Sequence, residues 1–167
     1  IIGAVVAIIG MSVTFVQKSL ESWKFDYLKH LIDKQDYTWA YFSFLFITIL
    51  YSAIAGIACI IEPNAAGSGI AQIKTYLNGV NLHKIVRIKT LFCKVVGMMF
   101  SVSSGLPLGK EGPMIHAGSI VGAAVSQGRS ALFGYDTSWT KYQDLRNDRS
   151  KRDYVTFGAA AGVGAAA

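Results

Sequence analysis

The chain carries one uncharged apolar stretch, residues 40–61, that constrains its fold more than any other feature. At about 1.5 Å per residue, an α-helix of this length crosses a hydrocarbon core of about 30 Å. The composition agrees, because 52% of the 167 residues are hydrophobic and only 16% are charged, whereas soluble domains carry about 25% charged residues. The sequence therefore predicts an all-α integral membrane protein.

Shorter segments surround this predicted transmembrane helix. Residues 1–16 are apolar but too short to span a bilayer alone, and residues 17–39 mix charged and aromatic side chains as an interfacial loop or a surface helix does. Residues 70–78 and 114–125 are helix-like but also too short to cross, and each segment follows a glycine-rich break. Such breaks are typical of the discontinuous, half-spanning helices that line transport sites.

Most basic residues lie in polar segments between the apolar ones. Residues 81–94 lead into a helix predicted to end near Leu106, and residues 128–153 form a second polar loop. An excess of Lys and Arg in such loops favours the cytoplasmic side of a membrane, so the net charge of +6 indicates topology and not a nucleic-acid partner. The Gly/Ala-rich residues 154–167 suit close helix packing. Because both ends fall in apolar runs without an initiator methionine, we expect a fragment of a longer protein.

Glu111 is the acidic residue whose position is most unusual. The other two glutamates belong to a polar segment or to the end of the predicted span, where lipid headgroups can solvate a carboxylate, but Glu111 lies between two apolar segments. An ionisable group at membrane depth costs a few kcal/mol, so it is a functional-site hypothesis by default. The alternative is that this loop reaches the surface and that Glu111 only caps a helix.

The residues around Glu111 predict an anion site. Pro113 suits the first turn of a helix, and the glycines at positions 109 and 112 leave backbone N–H groups uncovered. A helix N-terminus presents unpaired N–H donors and a partial positive charge, so it binds anions without a fixed cation. Residues 67–70 repeat this arrangement, with the Ser68 hydroxyl as a further donor. Glu111 would be a tethered anion that blocks the site when ionised and leaves it when protonated, which makes one carboxylate a gate and a proton carrier.

Other kinds of site are excluded by spacing. Cys59 and Cys93 form no CxxC pair and His116 has no neighbouring metal ligand, so we expect buried, packed or lipid-facing thiols, a hydrogen-bonded structural histidine and no metal site. Residues 105–111 are one residue short of a phosphate loop, and residues 67–69 lack the third glycine of a dinucleotide loop. No nucleophile–base pair is visible, so we do not expect an enzyme.

Two loop sequences, in this order, carry a family resemblance: Gly67-Ser68-Gly69-Ile70 and Gly109-Lys110-Glu111-Gly112-Pro113. Supporting matches lie within residues 73–80, 114–116, 126–130, 151–153 and 158–162. The chain resembles the CLC family of chloride channels and chloride/proton exchangers, and most of all its lysosomal and late-endosomal branch. The resemblance covers essentially the whole chain, from the second family helix to the start of the seventh. One departure is Ala71, where the family usually has proline.

The resemblance implies an incomplete CLC-type fold. Residues 1–167 would form part of one transmembrane domain, within the first of two inverted repeats. The second half of that domain and the cytoplasmic nucleotide-binding domains would lie beyond residue 167. A homodimer in a lipid bilayer, with one anion pathway in each subunit, is implied as well. Chloride and protons are the expected ligands, an auxiliary subunit is a candidate partner, and no cofactor is expected in these residues.

By the same resemblance, Glu111 would be the gating glutamate and the outer proton acceptor. Ser68 would coordinate a central chloride, and loop amides would bind the ion at inner and outer positions. The implied anion-binding residues are Gly67, Ser68, Gly69, Ile70, Gly109, Lys110 and Gly112, with Pro113 starting the second helix.

The leading hypothesis is chloride/proton exchange in an acidic endomembrane of endosomes or lysosomes, with the plasma membrane as the alternative location. A passive voltage-gated chloride channel would keep Glu111 as a gate without coupling protons. A non-conducting structural or regulatory membrane fragment is the alternative of another class.

Overall fold

The computed structural model describes residues 1–80, 85–127 and 148–167, and within these ranges the secondary structure is helical, with no strand. A short 3₁₀ turn, Pro63–Ala65, accompanies the α-helices. The helices are α1 (Ile2–Asp33), α2 (Tyr37–Ile61), α3 (Ile70–Leu77), α4 (Ile88–Ser103), α5 (Glu111–Gln127) and α6 (Asp148–Ala166). The predicted all-α class is confirmed.

Helix α1 decides between the two structures predicted for the segment that begins at residue 17. Residues 17–33 are helical and not a loop, and they continue the apolar residues 2–16 as one helix. No glycine or proline interrupts residues 11–33, so the change from apolar to charged side chains does not break the backbone. The helix ends at Asp33. Just beyond it Gln35 adopts a left-handed φ of 61°, and the Asp36 N–H bonds to the Leu31 carbonyl at 3.3 Å.

Helix α2 contains the predicted span of residues 40–61 and begins three residues earlier, at Tyr37. By length and composition, α1 and α2 could each cross a membrane, among the described residues. Large apolar side chains of α2 remain exposed, for example Phe46 at 67% and Ile60 at 79%. This exposure suits a helix whose outer face contacts lipid.

The two short helices were both predicted, but α5 is longer than expected. Helix α3 is 8 residues long, about 12 Å, which is too short to cross a bilayer. Helix α5 is 17 residues long, about 26 Å, instead of the predicted residues 114–125, and this length is at the lower limit for a span. Helix α4 ends at Ser103, three residues before the predicted end, because the chain turns at Gly105 with a φ of 96°.

Helices α5 and α6 pack backbone to backbone through glycines. A Cβ at Gly118 would overlap the carbonyl of Gly158, and a Cβ at Gly162 would lie 2.5 Å from the carbonyl of Met114. Only glycine permits this approach, so the predicted close packing of residues 154–167 is confirmed. Helix α6 begins at Asp148, within the predicted polar loop, while positions 128–147 of that loop and 81–84 of the basic stretch fall outside the described residues.

Two buried clusters fix the short helices. Val13, Met98, Met114 and Ala166 join α1, α4, α5 and α6. A second cluster, Ile73, Ile85, Ala123 and Val155, holds α3 against α5 and α6. The two clusters thus hold α3 and α5 in place through residues of the helices themselves and through Ile85.

Candidate anion site

The two predicted loops touch each other. A Cβ placed on Gly112 would lie 2.6 Å from the Ser68 Cβ and 3.2 Å from the Ser68 Cα, which no real side chain could accept. The second loop therefore reaches the first only because residue 112 is a glycine. The sequence predicted that both loops would serve one site, and the structure places them in direct contact.

A cavity of about 510 Å³ lies between these loops and helices α2 and α4. From the first loop Gly67 and Ser68 line it, and from the second loop Gly109 and Pro113 do so. The predicted site residues that do not line this cavity are Gly69, Ile70, Lys110, Glu111 and Gly112. The cavity is thus lined by only part of the predicted set of site residues.

Lys94 is a cavity-lining residue that the sequence analysis missed. It is only 3% exposed, and its Nζ donates hydrogen bonds to the carbonyls of Ala65 at 3.2 Å and Gly67 at 3.0 Å. These bonds fix the first loop and place an ammonium group beside the cavity. The overlooked signal was an isolated cation in the apolar residues 91–100, since the argument that selected Glu111 applies equally to this lysine.

His116 supports the first loop from behind. Its ring packs against Gly69, where a Cβ would approach the ring Cγ to 2.6 Å, and Gly69 has a left-handed φ of 78°. Its Nε2 lies 3.2 Å from the carbonyl of Ile85, which confirms the predicted hydrogen-bonded histidine. Because a carbonyl can only accept, Nε2 carries the proton, and Nδ1 has no hydrogen-bond partner among the described residues.

Ser68 forms the exposed tip of the first loop. Its Oγ accepts the N–H of Ile70 in a long contact of 3.5 Å, at the residue where α3 begins. A hydroxyl that accepts one hydrogen bond can still donate its own hydrogen, so Ser68 keeps a donor for a ligand. Helix α3 forms with Ala71 in its first turn, so the proline usual at that position is not required for the helix.

The second loop sequence contains the first residues of α5. The Met114 N–H bonds to the Lys110 carbonyl at 3.1 Å, so the helix begins at Glu111 and Pro113 lies in its first turn, as predicted. The amides of Glu111 and Gly112 have no helical acceptor and form the positive end of the helix. The Glu111 side chain is exposed, and within the described part of the chain no hydrogen bond or ion pair holds it.

Glu62 differs from its predicted environment. It is 9% exposed, and protein groups contact its carboxylate: Lys89 pairs with it at 3.7 Å and Asn64 donates a hydrogen bond to it at 3.2 Å. The thiols of Cys59 and Cys93 are free and both line the cavity. No cluster of three metal-ligating side chains occurs in the ranges for which coordinates are described.

Comparison with known proteins identifies the family. A family model described as voltage gated chloride channel matches residues 43–166. The H(+)/Cl(-) exchange transporter 7 of Mus musculus is 44% identical over 171 residues, covering 99% of this chain and 21% of the transporter. The chloride channel protein CLC-c of Arabidopsis thaliana is 37% identical over 167 residues, covering 99% of this chain and 21% of that protein. The chloride channel protein D of Dictyostelium discoideum is 41% identical over 148 residues, covering 89% of this chain and 15% of that protein.

These relatives are described as transporters and channels, and the chain spans about a fifth of the length of the first relatives it matches. The matched residues 43–166 include both loops, the cavity and helices α3 to α6. Sequence identity and the predicted loop chemistry thus point to the same group of integral membrane proteins. This chain belongs to the voltage-gated chloride channel family, the CLC family.

Proposed function

We propose that this chain forms part of a protein that carries chloride across a membrane in exchange for protons. The observation that carries the proposal is the contact between Gly112 and Ser68, which brings the starts of two broken helices to one cavity. The name of the similar mouse protein, an H(+)/Cl(-) exchange transporter, supports the same activity.

The anion would bind through partial charges and one cation. The amides at the starts of α3 and α5 and the Ser68 hydroxyl donate hydrogen bonds, and the Lys94 ammonium adds positive charge nearby. Lys94 is already engaged with two carbonyls, so it raises the local potential without closing around the ion. Such a site replaces water around chloride but also releases it, as transport requires.

Glu111 would act as the gate and as the outer proton acceptor. Its carboxylate stands at the start of α5, beside the residue that touches Ser68, and no described side chain restrains it. An ionised carboxylate competes with chloride for the positive end of the helix, and a protonated one does not. Proton uptake would therefore free the site for the halide, which couples the two ions.

The further expectations follow the proposed activity. The protein would act as a homodimer with one anion pathway in each subunit, in the membrane of an acidic compartment of the endosomal or lysosomal system. An auxiliary subunit is a proposed additional partner. A passive chloride channel is the second candidate, supported by the channel names of the Arabidopsis and Dictyostelium relatives.

The test uses a chimaera in which this chain replaces the matching segment of the mouse transporter, reconstituted in lipid vesicles. We expect a chloride gradient to drive proton movement through the unsubstituted chimaera. Glu111→Ala should retain chloride flux and abolish proton movement, because the carboxylate that carries the proton is gone. Asp26→Ala, at an exposed acidic residue of α1, is the matched control and should leave both fluxes unchanged.

Three outcomes decide between the alternatives. Coupled proton transport that persists in Glu111→Ala would remove Glu111 from the proposed role. Chloride flux without proton movement in the unsubstituted chimaera would favour the passive channel. Absence of both fluxes, while the intact mouse transporter is active in the same vesicles, would favour a non-conducting role for this chain.

A further inference from the structure

Lys24 is a buried cation that does not itself line the cavity. Among the lysines of α1, Lys18 and Lys29 are exposed, but Lys24 is only 2% exposed and is one of the largest fully buried side chains described. Its Nζ lies 5.1 Å from the ring centroid of Phe25 and 5.6 Å from that of Phe44. A lysine buried among aromatic rings loses its hydration, so specific partners must compensate for that loss.

Those partners are the last carbonyls of α4. Lys24 Nζ donates to the carbonyl of Ser103 at 2.8 Å and approaches the carbonyl of Ser104 at 3.4 Å. The carbonyls at a helix C-terminus lack helical donors and carry the negative end of the helix dipole, so an ammonium group is well suited to them. The bond joins positions 79 residues apart and ties α1 to the end of α4.

The segment that follows leads directly to Glu111. Gly105 turns the chain with a φ of 96°, and a Cβ at this glycine would lie 3.7 Å from Lys24 Nζ. Residues 106–109 are exposed, with one backbone bond from the Leu108 N–H to the Leu106 carbonyl at 2.7 Å. Among the described residues, Lys24 is the only side chain outside α4 that hydrogen-bonds to residues 103–105.

We propose that Lys24 is a positioning residue, which holds the near end of the gate segment, residues 104–110, and so restricts where Glu111 can move. The proposal rests on the proposed gating role of Glu111. The gate segment has two fixed points, the Lys24 anchor at its start and the contact between Gly112 and Ser68 just beyond its end. Without the anchor, Glu111 would leave the anion site while still ionised, and chloride would pass without a matching proton.

The functional test compares three substitutions in the vesicle-reconstituted chimaera. Lys24→Met keeps the length of the side chain but removes the charge, Lys24→Arg keeps the charge, and Lys29→Met is the control at an exposed lysine of the same helix. We expect Lys24→Met to reduce the number of protons moved per chloride, Lys24→Arg to restore it and Lys29→Met to leave it unchanged. An unchanged ratio in Lys24→Met, at any transport rate, would overturn the proposal.

A second measurement separates positioning from general destabilisation. Hydrogen exchange of the Ser104 and Gly105 amides, which bond to the Phe100 and Val102 carbonyls, is followed in the full chain in detergent. We expect exchange there to rise about tenfold in Lys24→Met, as for a loss of about 1.4 kcal/mol of local stability, with no change in the glycine-packed parts of α5 and α6. An equal rise throughout α5 and α6 would mean general destabilisation and would overturn the proposal.

The proposed function and this inference fail in different ways. If Glu111→Ala abolishes proton coupling and Lys24→Met does not, the gating role of Glu111 is supported and the positioning role of Lys24 is wrong. If Glu111→Ala leaves coupling intact, the gate itself is wrong, whatever Lys24→Met does.

Discussion

The two loops that meet at the cavity are held very differently. Residues 65–69 are held by two side chains: Lys94 of α4 bonds to two of their carbonyls, and His116 of α5 packs on Gly69. Residues 104–110 are anchored by Lys24 only at their start, and residues 105–109 are exposed. Residues 66–68 are exposed as well, so the loops differ in the side chains that hold them. Lys94 and His116 support residues 65–69, whereas among the described residues Lys24 is the only side chain of another helix that hydrogen-bonds to residues 104–110.

This difference supports the separate roles that we propose for the two loops. A binding site must keep its donors in place while an ion arrives and leaves, which requires buried, well-packed supports. A gate must change position, so its segment needs few contacts and low local stability. The supports of the first loop agree with its proposed role in anion binding, and the few contacts of the second agree with the proposed movement of Glu111.

The largest effect on stability should come from a side chain at position 69, between the first loop and the ring of His116. Gly69→Ala would force a left-handed backbone on alanine and push its Cβ into the ring of His116, so we expect a loss of about 3 kcal/mol in the free energy of unfolding. Denaturant titration of the full chain in detergent measures this loss. Gly109→Ala is the matched control in the second loop, where nothing lies within 4 Å, and should change stability by less than about 0.5 kcal/mol.

Gly67→Ala separates the cost of the left-handed backbone from the cost of the clash with His116. Gly67 also has a left-handed φ, 71°, but a Cβ there would meet nothing within 4 Å, so only the backbone term of about 1 kcal/mol should appear. If Gly69→Ala and Gly67→Ala cost the same, His116 would not be a rigid support and the contrast between the loops would weaken.

A smaller effect on stability, with a change in ion binding, should come from Lys94→Met. The carbonyls of Ala65 and Gly67 would lose their donor and the cavity would lose its cation, so we expect a loss of about 2 kcal/mol of stability and weaker chloride binding. Chloride titration of the full chain, followed by chlorine NMR relaxation, measures the binding. Lys74→Met, at an exposed lysine of α3, is the control. Unchanged chloride affinity in Lys94→Met would show that this lysine supports the loop and does not attract the ion.

The smallest effect on stability should come from Ser68→Ala. Ser68 is exposed and its Oγ makes only a long contact with the Ile70 N–H, so we expect less than about 0.5 kcal/mol in the free energy of unfolding. Loss of the hydroxyl donor should lower the preference for chloride over nitrate by about threefold to tenfold, the range that corresponds to the net contribution of a typical hydrogen bond. Competition fluxes in the reconstituted chimaera measure this preference. An unchanged preference would mean that Ser68 is not an anion ligand.

Much of the fold could be predicted because it is local. The uncharged residues 40–61 predicted α2, and glycine-rich breaks predicted the short helices α3 and α5. The boundaries of α1 and α6 were less well predicted, because charged side chains can continue a helix that begins with apolar ones. The environment of Glu62 was wrong for a related reason: the sequence shows that a carboxylate ends a span, but not that Lys89 and Asn64 lie beside it.

The sequence by itself determined the membrane class and the two helix breaks, because hydrophobic length and backbone preference can be read from neighbouring residues. It also predicted the roles of Ser68, Glu111 and Pro113. Only the tertiary structure decided which groups support that chemistry. Lys24 bonds to a residue 79 positions away in the chain. Lys94 bonds to residues 27 and 29 positions away, and His116 bonds to a residue 31 positions away. The local sequence shows that a polar side chain lies in an apolar segment, but its hydrogen-bond partner comes within reach only when the helices pack.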